Sequence, residues 1–421
     1  MSKFKYVDLF AGIGGFRIAL DRNGGESVGF SEIDTDTIKT YCINHNELET
    51  NNLGNITKIE NLPNHDLMCA GVPCQSWSTA GKKLGFADKR GLLWNDTLYL
   101  LNKSQPKAFV FENVKGLVDP RNEESLNYIK NKIKEAGYYS QVYLLNSNEY
   151  GSIQNRVRMY IIGFKDKKYY DRFSLPVGRE SNITLKDILS EEVNNDNSNY
   201  ECAYFSFNDL RNGKTSIHSW DIIETTDKEK YICNLLLTNR RKKEYGDKDG
   251  NSLSLKQLQS IDKCITIEDI EKLIDKGIIV EKLNTVTNEK EYDFKNSKIS
   301  TGINGVNRIY LPNSNSFPTM VASDSNDYIT TECIYADTLK EYKKEFIEKV
   351  YLPKKYRKIT KEEACRIQGF PSNFILPDKR YKWMKMIGNS VDINIVDKII
   401  KSIVETGVFC EEDYKLNNKL F

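Results

Sequence analysis

The chain has 421 residues, and its 61 lysines and arginines nearly balance 59 aspartates and glutamates, which gives a net charge of +2. This length allows one large domain or two ordinary ones, with enough core to fold without disulfides or structural metals. The near-neutral charge excludes a global polycation, so nucleic-acid binding would need locally concentrated basic residues. Two such stretches exist, at residues 240–243 and 349–361, and each is also compatible with a solvated surface.

The cysteines and the apolar pattern restrict the cellular setting. Nine cysteines are present and none is spaced C-x-x-C, so the sequence favours neither a disulfide framework nor a metal site. No apolar stretch approaches the ~18 residues of a membrane span, and the first residues have no apolar signal region. We therefore expect a cytoplasmic protein without membrane contact.

The first 165 residues alternate between short apolar strands and helical segments. We predict a helix at 16–23, after a glycine-rich turn, and strands at 6–10, 27–30, 66–70, 108–112 and 159–164. Alternation of this kind is typical of a mostly parallel sheet with helices on both faces. The sequence therefore predicts an α/β fold for this part of the chain.

The amino-acid composition changes in the middle of the chain. From about 175 to 350, Asn, Ser, Thr, Asp and Lys dominate, which predicts an irregular insert with a small core of its own. Helical periodicity returns at 360–368, and 393–404 forms an amphipathic pattern. We expect this last helix to return to the first domain.

The turn after the first strand, at residues 8–15, carries glycines where a helix begins. Glycines in this position let the backbone approach a ligand closely. Glu32 ends the second strand, 20 residues after Gly12, where dinucleotide-binding folds place an acid against ribose hydroxyls. Because the pattern is not G-x-G-x-x-G, a different nucleoside cofactor and a tight turn without a ligand both remain open.

Cys74 follows Pro73 just beyond the third strand, where ligands gather in open α/β sheets. A cysteine thiolate is a strong nucleophile once its pKa is lowered or a base is supplied. A lone cysteine is more often a small core residue, which is our interpretation of Cys69. Polar, turn-forming residues surround Cys74 and favour the reactive alternative.

Two further groups of residues belong to the same predicted edge of the sheet. Glu112 lies at the end of a strand, so its carboxylate can reach the same crevice. Arg156 and Arg158 are two residues apart on an extended segment and therefore point to the same side. Paired arginines of this kind suit the recognition of phosphate or carbonyl groups.

Taken in order, these residues resemble the motifs of bacterial-type DNA (cytosine-5) methyltransferases. The matching segments are residues 8–15, 73–75, 112–114, 154–158, 357–371 and 388–391. The resemblance implies a Rossmann-like methyltransferase domain that binds S-adenosylmethionine and has a mostly parallel sheet, plus a smaller, irregular target-recognition domain. We assign residues 1–172 and 382–421 to the first domain and 173–381 to the second.

The resemblance also implies the reaction. Such an enzyme transfers a methyl group from S-adenosylmethionine to C5 of a flipped-out cytosine within a short double-stranded DNA sequence. Cys74 would form the covalent bond to C6, and Glu112 would relieve charge at N3. Arg158 would contact the cytosine O2, and Arg156 would position the cysteine loop.

The family further implies a biological setting. We expect a monomer that protects host DNA within a restriction-modification system. A cognate endonuclease would belong to the same system without necessarily binding this chain. No metal is implied.

The cofactor-binding residues implied by the resemblance are Phe10, Gly12, Gly14, Glu32, Asn55, Ile56, Pro73, Leu93, Asn389 and Val391. Two positions depart from the family pattern. Asn55 stands where the family usually has Asp, although its carbonyl can still accept a hydrogen bond from the adenine amine. Ile33 is aliphatic where some family members have an aromatic residue, which predicts a weaker stack on the adenine.

The DNA contacts implied by the resemblance are Gln75, Ser78, Thr319, Arg240, Arg241, Lys355 and Arg357. The arginines and the lysine would bind phosphates, which gives salt-dependent affinity without sequence information. Glycines 81, 85 and 91 are candidate hinges for the loop after Cys74. The sequence does not show which insert residues read the bases, because base recognition depends on a few side chains placed in the major groove.

Two alternatives remain open. One is an RNA enzyme with the same chemistry, resembling the eukaryotic branch that methylates transfer RNA, although that branch generally lacks a large insert. The other is a DNA-binding regulator without catalysis. The intact set of Cys74, Glu112, Arg156 and Arg158 argues against the regulator.

Overall fold

The computed structural model describes residues 4–73, 92–179, 182–190, 205–210, 213–247, 250–294, 306–325 and 327–410. Contacts divide the chain into two units. Unit 1 comprises residues 1–188, 315–325 and 360–421, and unit 2 comprises residues 189–314 and 326–359.

The first part of unit 1 alternates strands with helices as predicted. Its strands are β1 (Phe4–Leu9), β2 (Gly25–Ser31), β3 (Leu67–Gly71), β4 (Ala108–Val114), β5 (Tyr139–Asn146), β6 (Gln154–Asn155) and β7 (Val157–Phe164). Its helices are α1 (Gly15–Arg22), α2 (Thr35–His45), α3 (Leu93–Ser104), α4 (Glu123–Glu135) and α5 (Lys167–Arg172).

Unit 2 contains more regular structure than the predicted irregular insert. Its strands are β8 (Phe205–Leu210), β9 (Gly213–His218), β10 (Leu253–Ser254), β11 (Ile279–Leu283), β12 (Lys290–Phe294), β13 (Val306–Tyr310) and β15 (Asp327–Ile329). Its helices are α6 (Ser219–Ile222), α7 (Asp227–Asn239), α8 (Leu255–Ile261), α9 (Ile267–Asp275) and α10 (Leu339–Phe346). The strands form two small sheets, β15-β13-β8-β9 and β10-β12-β11. Separate apolar clusters around Trp220 and Phe346 provide the core of this unit.

The last elements return to unit 1. They are β14 (Phe317–Pro318), α11 (Lys361–Gln368), α12 (Arg380–Asn389) and α13 (Ile393–Glu405). The longest helices in the described part of the chain have 13 residues. None of the helices there is both long and apolar enough to span a bilayer.

The main sheet of unit 1 has the order β2-β1-β3-β4-β7-β5. Strands β1 to β4 pair in parallel, whereas β7 runs antiparallel to both β4 and β5. Strand β3 is apolar and buried because helices cover both faces of the parallel part. The carboxyl ends of β1 to β4 share one edge, and the strand order reverses around β1. In open α/β sheets, ligands bind at such a switch point.

Helix α13 shows why the C-terminal segment returns to this sheet. Asp392 caps its first turn by accepting a hydrogen bond from the Asn394 amide at 3.0 Å. The helix then buries one face of isoleucines and valine, and it packs on α1. Asn23 at the end of α1 donates to Asp397 of α13 at 3.0 Å. The C-terminal helix therefore packs beside α1, which itself contacts β1 and β2.

Helix α11 also belongs to unit 1, which differs from the predicted domain boundary at residue 381. A reciprocal capping box between Thr360 and Glu363 starts this helix. Its last residue, Gln368, donates to the carbonyls of Ser390 and Val391 at 3.1 and 3.0 Å. These buried amide bonds tie 360–381 to the sheet side, while the assignment of the two units to catalysis and recognition stays a prediction.

Candidate active site

A cavity of about 420 Å³ opens at the carboxyl edge of the sheet, and all its lining residues belong to unit 1. This volume is in the range of pockets that bind cofactors and other small molecules. Nearly all of the predicted cofactor residues line it: Phe10, Gly12, Glu32, Asn55, Ile56, Pro73, Leu93, Asn389 and Val391. The predicted catalytic residues Glu112, Arg156 and Arg158 line the same cavity.

Glu32 is held in place by the backbone at the mouth of the cavity. Its Oε2 accepts a hydrogen bond from the Gly12 amide at 3.0 Å. Its Oε1 accepts from the amides of Ile33 and Asp34 at 2.7 and 2.9 Å. Phe10, in the turn after β1, adopts a left-handed φ of 55°, a strained conformation of the kind that collects at ligand sites. The turn and the carboxylate are therefore fixed before any ligand arrives.

Gly14 was predicted to bind the cofactor, and the structure gives it a different role. It does not line the cavity. Its φ is +90°, and a Cβ atom there would lie 2.1 Å from Nε2 of His45. The same His45 nitrogen lies 3.3 Å from the Ile13 carbonyl, and burial lowers its pKa to about 4, so the ring is neutral. Glycine is required here because helix α2 packs its histidine directly beneath the turn.

The predicted adenine side of the site is formed by Asn55, Ile56 and Ile33. The Oδ1 atom of Asn55 accepts hydrogen bonds from the amide and the hydroxyl of Thr57, at 3.1 and 3.0 Å. Asn55 is exposed and lines the cavity, so the predicted bond from an adenine amine to its carbonyl stays a prediction. Ile56 forms a buried part of the wall, and Ile33 lines the cavity while 69% exposed.

Glu112 is buried at the end of β4, next to an arginine. In the antiparallel pairing of β4 with β7, Glu112 lies opposite Tyr160. Arg158 lies two residues before Tyr160 on β7, so its side chain is on the same face of the sheet. The Nε atom of Arg158 is 3.2 Å from Oε1 of Glu112. Burial raises the pKa of Glu112 above its ordinary value, and the charges of Arg158 and Arg156 oppose this only in part. Burial therefore favours the protonated form of this carboxyl group.

Arg156 joins three segments of unit 1 through its buried guanidinium group. Nη1 donates to the Met320 carbonyl at 3.2 Å, and Nη2 donates to the carbonyls of Gly388 and Ser390 at 3.2 and 2.7 Å. Burial lowers its pKa to about 10, so it remains charged at neutral pH. Arg156 therefore acts as a clamp on the backbone around the cavity.

The segment that follows unit 2 is positioned by close packing. Strand β14 pairs with β6, and Thr319 donates its hydroxyl to the Asn155 carbonyl at 2.7 Å. A Cβ atom on Gly388 would lie 2.5 Å from the backbone of Val321 and Ala322. Only glycine allows α12 to approach this segment so closely. Thr319 thus anchors the chain, and its predicted DNA contact stays a prediction.

Part of the predicted site lies outside the described residues. These positions are Cys74, Gln75, Ser78 and the glycines at 81, 85 and 91. Pro73, which lines the cavity, directly precedes the predicted nucleophile in the chain. Their roles therefore remain predictions from the sequence.

The basic residues of unit 2 differ from one another. Arg240, a predicted phosphate contact, is 1% exposed, and its Nη2 lies 3.0 Å from Oδ1 of the equally buried Asp293. Its guanidinium also lies over the Phe294 ring. The prediction for Arg240 is wrong, because a buried guanidinium in an ion pair cannot reach a phosphate. Arg241, its neighbour in sequence, is exposed.

The other predicted phosphate contacts in unit 2 are Lys355 and Arg357, which follow the helix that carries Phe346. Lys355 pairs with Glu332 at 2.7 Å, with both side chains partly exposed. Arg357 donates to the Lys358 carbonyl at 3.1 Å and its backbone bridges to Ile329. These contacts leave their predicted DNA binding untested.

Lys385 is a cavity residue that the sequence analysis missed. It lies one helical turn before Asn389 on α12, and its Nζ is 2.9 Å from Oδ2 of Asp34. Asp34 caps helix α2, and the bonded Lys385 ammonium lowers the pKa of this carboxyl to about 2. The i, i+4 spacing from Asn389 was the available signal.

Comparisons with known proteins show the family to which the chain belongs. Residues 4–405 match the family described as C-5 cytosine-specific DNA methylase. The chain is 40% identical over 438 aligned positions to the Type II methyltransferase M.HgiBI of Herpetosiphon aurantiacus, with 98% of this chain and 99% of that protein covered. It is 33% identical to the Type II methyltransferase M.BanI of Aneurinibacillus aneurinilyticus, with 96% of this chain and 97% of that protein covered.

Solved structures support the fold. The Entamoeba histolytica methyltransferase EhMeth is similar with a TM-score of 0.57 at 14% identity, over 96% of this chain and 99% of that chain. A putative DNA modification methyltransferase encoded within an E. coli prophage is similar with a TM-score of 0.53 at 20% identity, over 95% of this chain and 98% of that one. The family match over almost the whole chain decides the class: the chain belongs to the C-5 cytosine-specific DNA methylase family and is a DNA (cytosine-5) methyltransferase.

Proposed function

We propose that this enzyme transfers a methyl group from S-adenosylmethionine to C5 of one cytosine within a short double-stranded DNA sequence, as a Type II modification enzyme. The observation that carries the proposal is the buried Glu112–Arg158 pair in the same cavity as the preorganised Glu32 carboxylate. The names of the similar proteins M.HgiBI and M.BanI support the Type II assignment.

The lining residues fit the proposed cofactor. The Glu32 carboxylate, fixed by three backbone amides, can accept hydrogen bonds from two ribose hydroxyls. Phe10, Ile56 and Leu93 offer apolar surface for the adenine and ribose faces. Asn389 lies in the same wall. Bound S-adenosylmethionine would supply an electrophilic methyl group to the cytosine.

The proposed chemistry assigns one role to each catalytic residue. The Cys74 thiolate attacks C6 of the cytosine, which breaks the ring conjugation and places electron density on C5. Glu112 donates its proton in a hydrogen bond to N3, and Arg158 donates to O2, so the developing charge is stabilised. When C5 takes the methyl group, the cofactor leaves as the neutral thioether S-adenosylhomocysteine. A base from the solvent then removes the C5 proton, the electron pair of that C–H bond forms the C5–C6 double bond, and the C6–S bond breaks to restore the thiolate and the aromatic ring.

The same proposal covers the DNA. Cytosine C6 is inaccessible inside a stacked duplex, so the target base must be extruded into the cavity. Base choice would depend on the predicted recognition domain, with Arg241, Lys355 and Arg357 as candidate phosphate contacts. We also propose that the enzyme acts as a cytoplasmic monomer that protects host DNA from a cognate endonuclease.

The test is sequencing of 5-methylcytosine in DNA from a methylation-free host that expresses the chain. We expect one short motif to be methylated by the wild type and by Cys410→Ala, which removes an exposed cysteine. Cys74→Ala should abolish the signal while the protein still binds S-adenosylmethionine. Methylation by Cys74→Ala at a near wild-type level would exclude this cysteine as the nucleophile. Unmethylated DNA from the folded wild type would overturn the DNA substrate and direct the search to RNA.

A further inference from the structure

Residues 227–294 of unit 2 fold around a core of their own. Helix α7 comes first, the short strand β10 leads into helices α8 and α9, and the hairpin of β11 and β12 ends the module. The three strands pair antiparallel in the order β10-β12-β11. Apolar side chains of every one of these elements meet in one cluster: Ile232, Leu236, Leu253, Leu258, Ile270, Leu273, Ile279, Tyr292 and Phe294. This order of helices and strands is that of a winged helix-turn-helix, with the β11–β12 hairpin as the wing.

Helices α8 and α9 form the helix-turn-helix of this module. Residues 262–266 join them, and a reciprocal capping box starts each helix. In DNA-binding helix-turn-helix proteins the second helix, here α9, enters the major groove. The exposed residues of α9 are Glu268, Glu271, Lys272 and Asp275. Three carboxylates against one ammonium group make this face repel DNA phosphates, so α9 is unsuited to the groove.

The tip of the β11–β12 hairpin has a different surface. Its residues 284–288 are Asn-Thr-Val-Thr-Asn and carry no charge. Val286 is 92% exposed, the highest fraction among the large apolar side chains of the described residues. Two acidic side chains beside the tip are paired with lysines, Glu289 with Lys256 at 2.8 Å and Glu281 with Lys290 at 3.0 Å. The tip itself therefore does not repel phosphates, and it exposes methyl groups and hydroxyls.

The hairpin tip is held in one conformation by its own hydrogen bonds. Oδ1 of Asn284 accepts from the amides of Val286 and Thr287, at 2.9 and 3.2 Å. The Asn284 amide donates to the Glu289 carbonyl at 2.9 Å, which closes the loop between the two strands. The exposed side chains of 285–287 are thus arranged before any partner arrives, which lowers the entropy that binding would cost.

We propose that the winged helix of unit 2 contacts the DNA substrate through this hairpin tip, residues 284–288, and reads bases there, while α9 stays out of the groove. A two-stranded β-ribbon fits the major groove, which is about 12 Å wide. The hydroxyls of Thr285 and Thr287 can donate to base edges or accept from them, and the Val286 methyl groups can pack on a thymine methyl. The inference rests on the proposed function, since it names the element that reads the double-stranded DNA.

Charge changes on the full-length enzyme test which element lies close to the DNA. Val286→Lys on the tip and Glu271→Lys on α9 both make an exposed position more positive, so neither should disturb folding. Binding to a duplex that carries the methylated motif is measured from about 50 to 200 mM salt. We expect Val286→Lys to steepen the slope of log affinity against log salt by about one, because the added lysine contacts a phosphate. Val286→Glu should weaken binding about tenfold, and Glu271→Lys should leave the slope unchanged, since charges beyond the Debye length of about 8 Å are screened.

Alanine variants test base reading. Thr285→Ala, Val286→Ala and Thr287→Ala should lower kcat/KM for the motif about tenfold and extend methylation to sequences that differ from it at one position, with the Kd for S-adenosylmethionine unchanged. Thr238→Ala, at an exposed position on α7 of the same module, is the control.

Two results would overturn the inference. One is a steeper salt slope for Glu271→Lys without one for Val286→Lys, which would assign the contact to α9. The other is an unchanged motif and kcat/KM in all three alanine variants. A folded wild type that methylates no DNA would instead refute the proposed function.

Discussion

The backbone amide of Gly12 donates a 3.0 Å hydrogen bond to the carboxylate of Glu32, which joins the turn after β1 to the end of β2. The bond couples the two loops that form the mouth of the cavity. Glu32 therefore has two functions, one in shaping the turn and one in receiving the proposed ribose.

Glu32→Gln should weaken cofactor binding. The glutamine side chain has no charge, and its NH2 group donates where one carboxylate oxygen accepted. Both the hydrogen bonds to the turn and the proposed ribose contact should therefore weaken. We expect the Kd for S-adenosylmethionine, measured by calorimetry, to rise about tenfold to a hundredfold, as for other charge-assisted hydrogen bonds. Glu60→Gln, at an exposed position away from the cavity lining, should leave the Kd unchanged. An unchanged Kd in Glu32→Gln would remove Glu32 from the cofactor site.

Glu112→Gln should lower the methyl transfer rate about a hundredfold to ten-thousandfold with little loss of DNA binding, because only proton donation is removed. Burial raises the pKa of this carboxyl, so the reactive protonated form is present below that pKa and is lost as the pH rises through it. Wild-type activity should therefore decline at high pH. The variant's residual rate should lack this dependence, and a wild-type rate in the variant would contradict the assignment.

Arg240 and Arg241 form a matched pair for separating stability from DNA binding. Arg240→Ala removes the arginine partner of the buried Asp293, which also pairs with Lys282, and breaking a buried pair costs about 3–5 kcal/mol. Urea denaturation should show this loss. Arg241→Ala should leave stability within about 0.5 kcal/mol, since surface substitutions have small effects. Equal stability of the two variants would contradict the structural role of Arg240.

Asp8, fully buried on β1, should make folding depend on pH. Burial raises its pKa from 3.8 to about 8. Its folded-state pKa is above the unfolded value, so its contribution is complete below about pH 4 and is lost as the pH rises to 8. Asp8→Asn, which cannot ionise, should therefore gain stability relative to wild type across this window, by up to about 1.4 kcal/mol per pH unit. Urea midpoints of both proteins at pH 5, 7 and 8.5 test this, and a constant difference would contradict it.

Lys385→Met should have only a small effect on cofactor binding. Its ion pair with Asp34 is partly exposed, and such pairs contribute about 0–1 kcal/mol. We expect the Kd for S-adenosylmethionine to change less than about fivefold, and less still in high salt. Lys382→Met breaks the similar pair with Asp36, does not touch the cavity, and serves as the control. A larger change for Lys385 would indicate direct contact with the ligand.

The fold class and the family predicted from the sequence are confirmed, because the strands and motifs of unit 1 are local patterns. Periodicity located β1 to β4 and β7 within a few residues. It missed β5, an edge strand at Tyr139–Asn146, because most of its side chains are only partly buried and apolar residues do not alternate with polar ones along it. It also missed the helices of unit 2, where polar composition concealed capping boxes such as Thr226–Glu229.

The motifs located most of the cavity lining, but not what each side chain does there. The Asn55 carbonyl accepts a hydrogen bond from the Thr57 amide, and Gly14 packs against the His45 ring. Neither the local cap nor the packing of a residue distant in sequence is visible in the motif. Arg240 looked like a surface charge because its partner, Asp293, is more than fifty residues away in sequence.

The clamp formed by Arg156 has a consequence for how such a chain can diversify. Its donors fasten the backbone at Met320 and at Gly388 and Ser390, on either side of the second excursion of the chain into unit 2. Both re-entry points are thereby fixed by one guanidinium group. Residues 326–359 lie between these points, so this stretch can lengthen or shorten while the cavity wall keeps its shape. The guanidinium group that lines the cavity thus holds the backbone there in place whatever the length of residues 326–359.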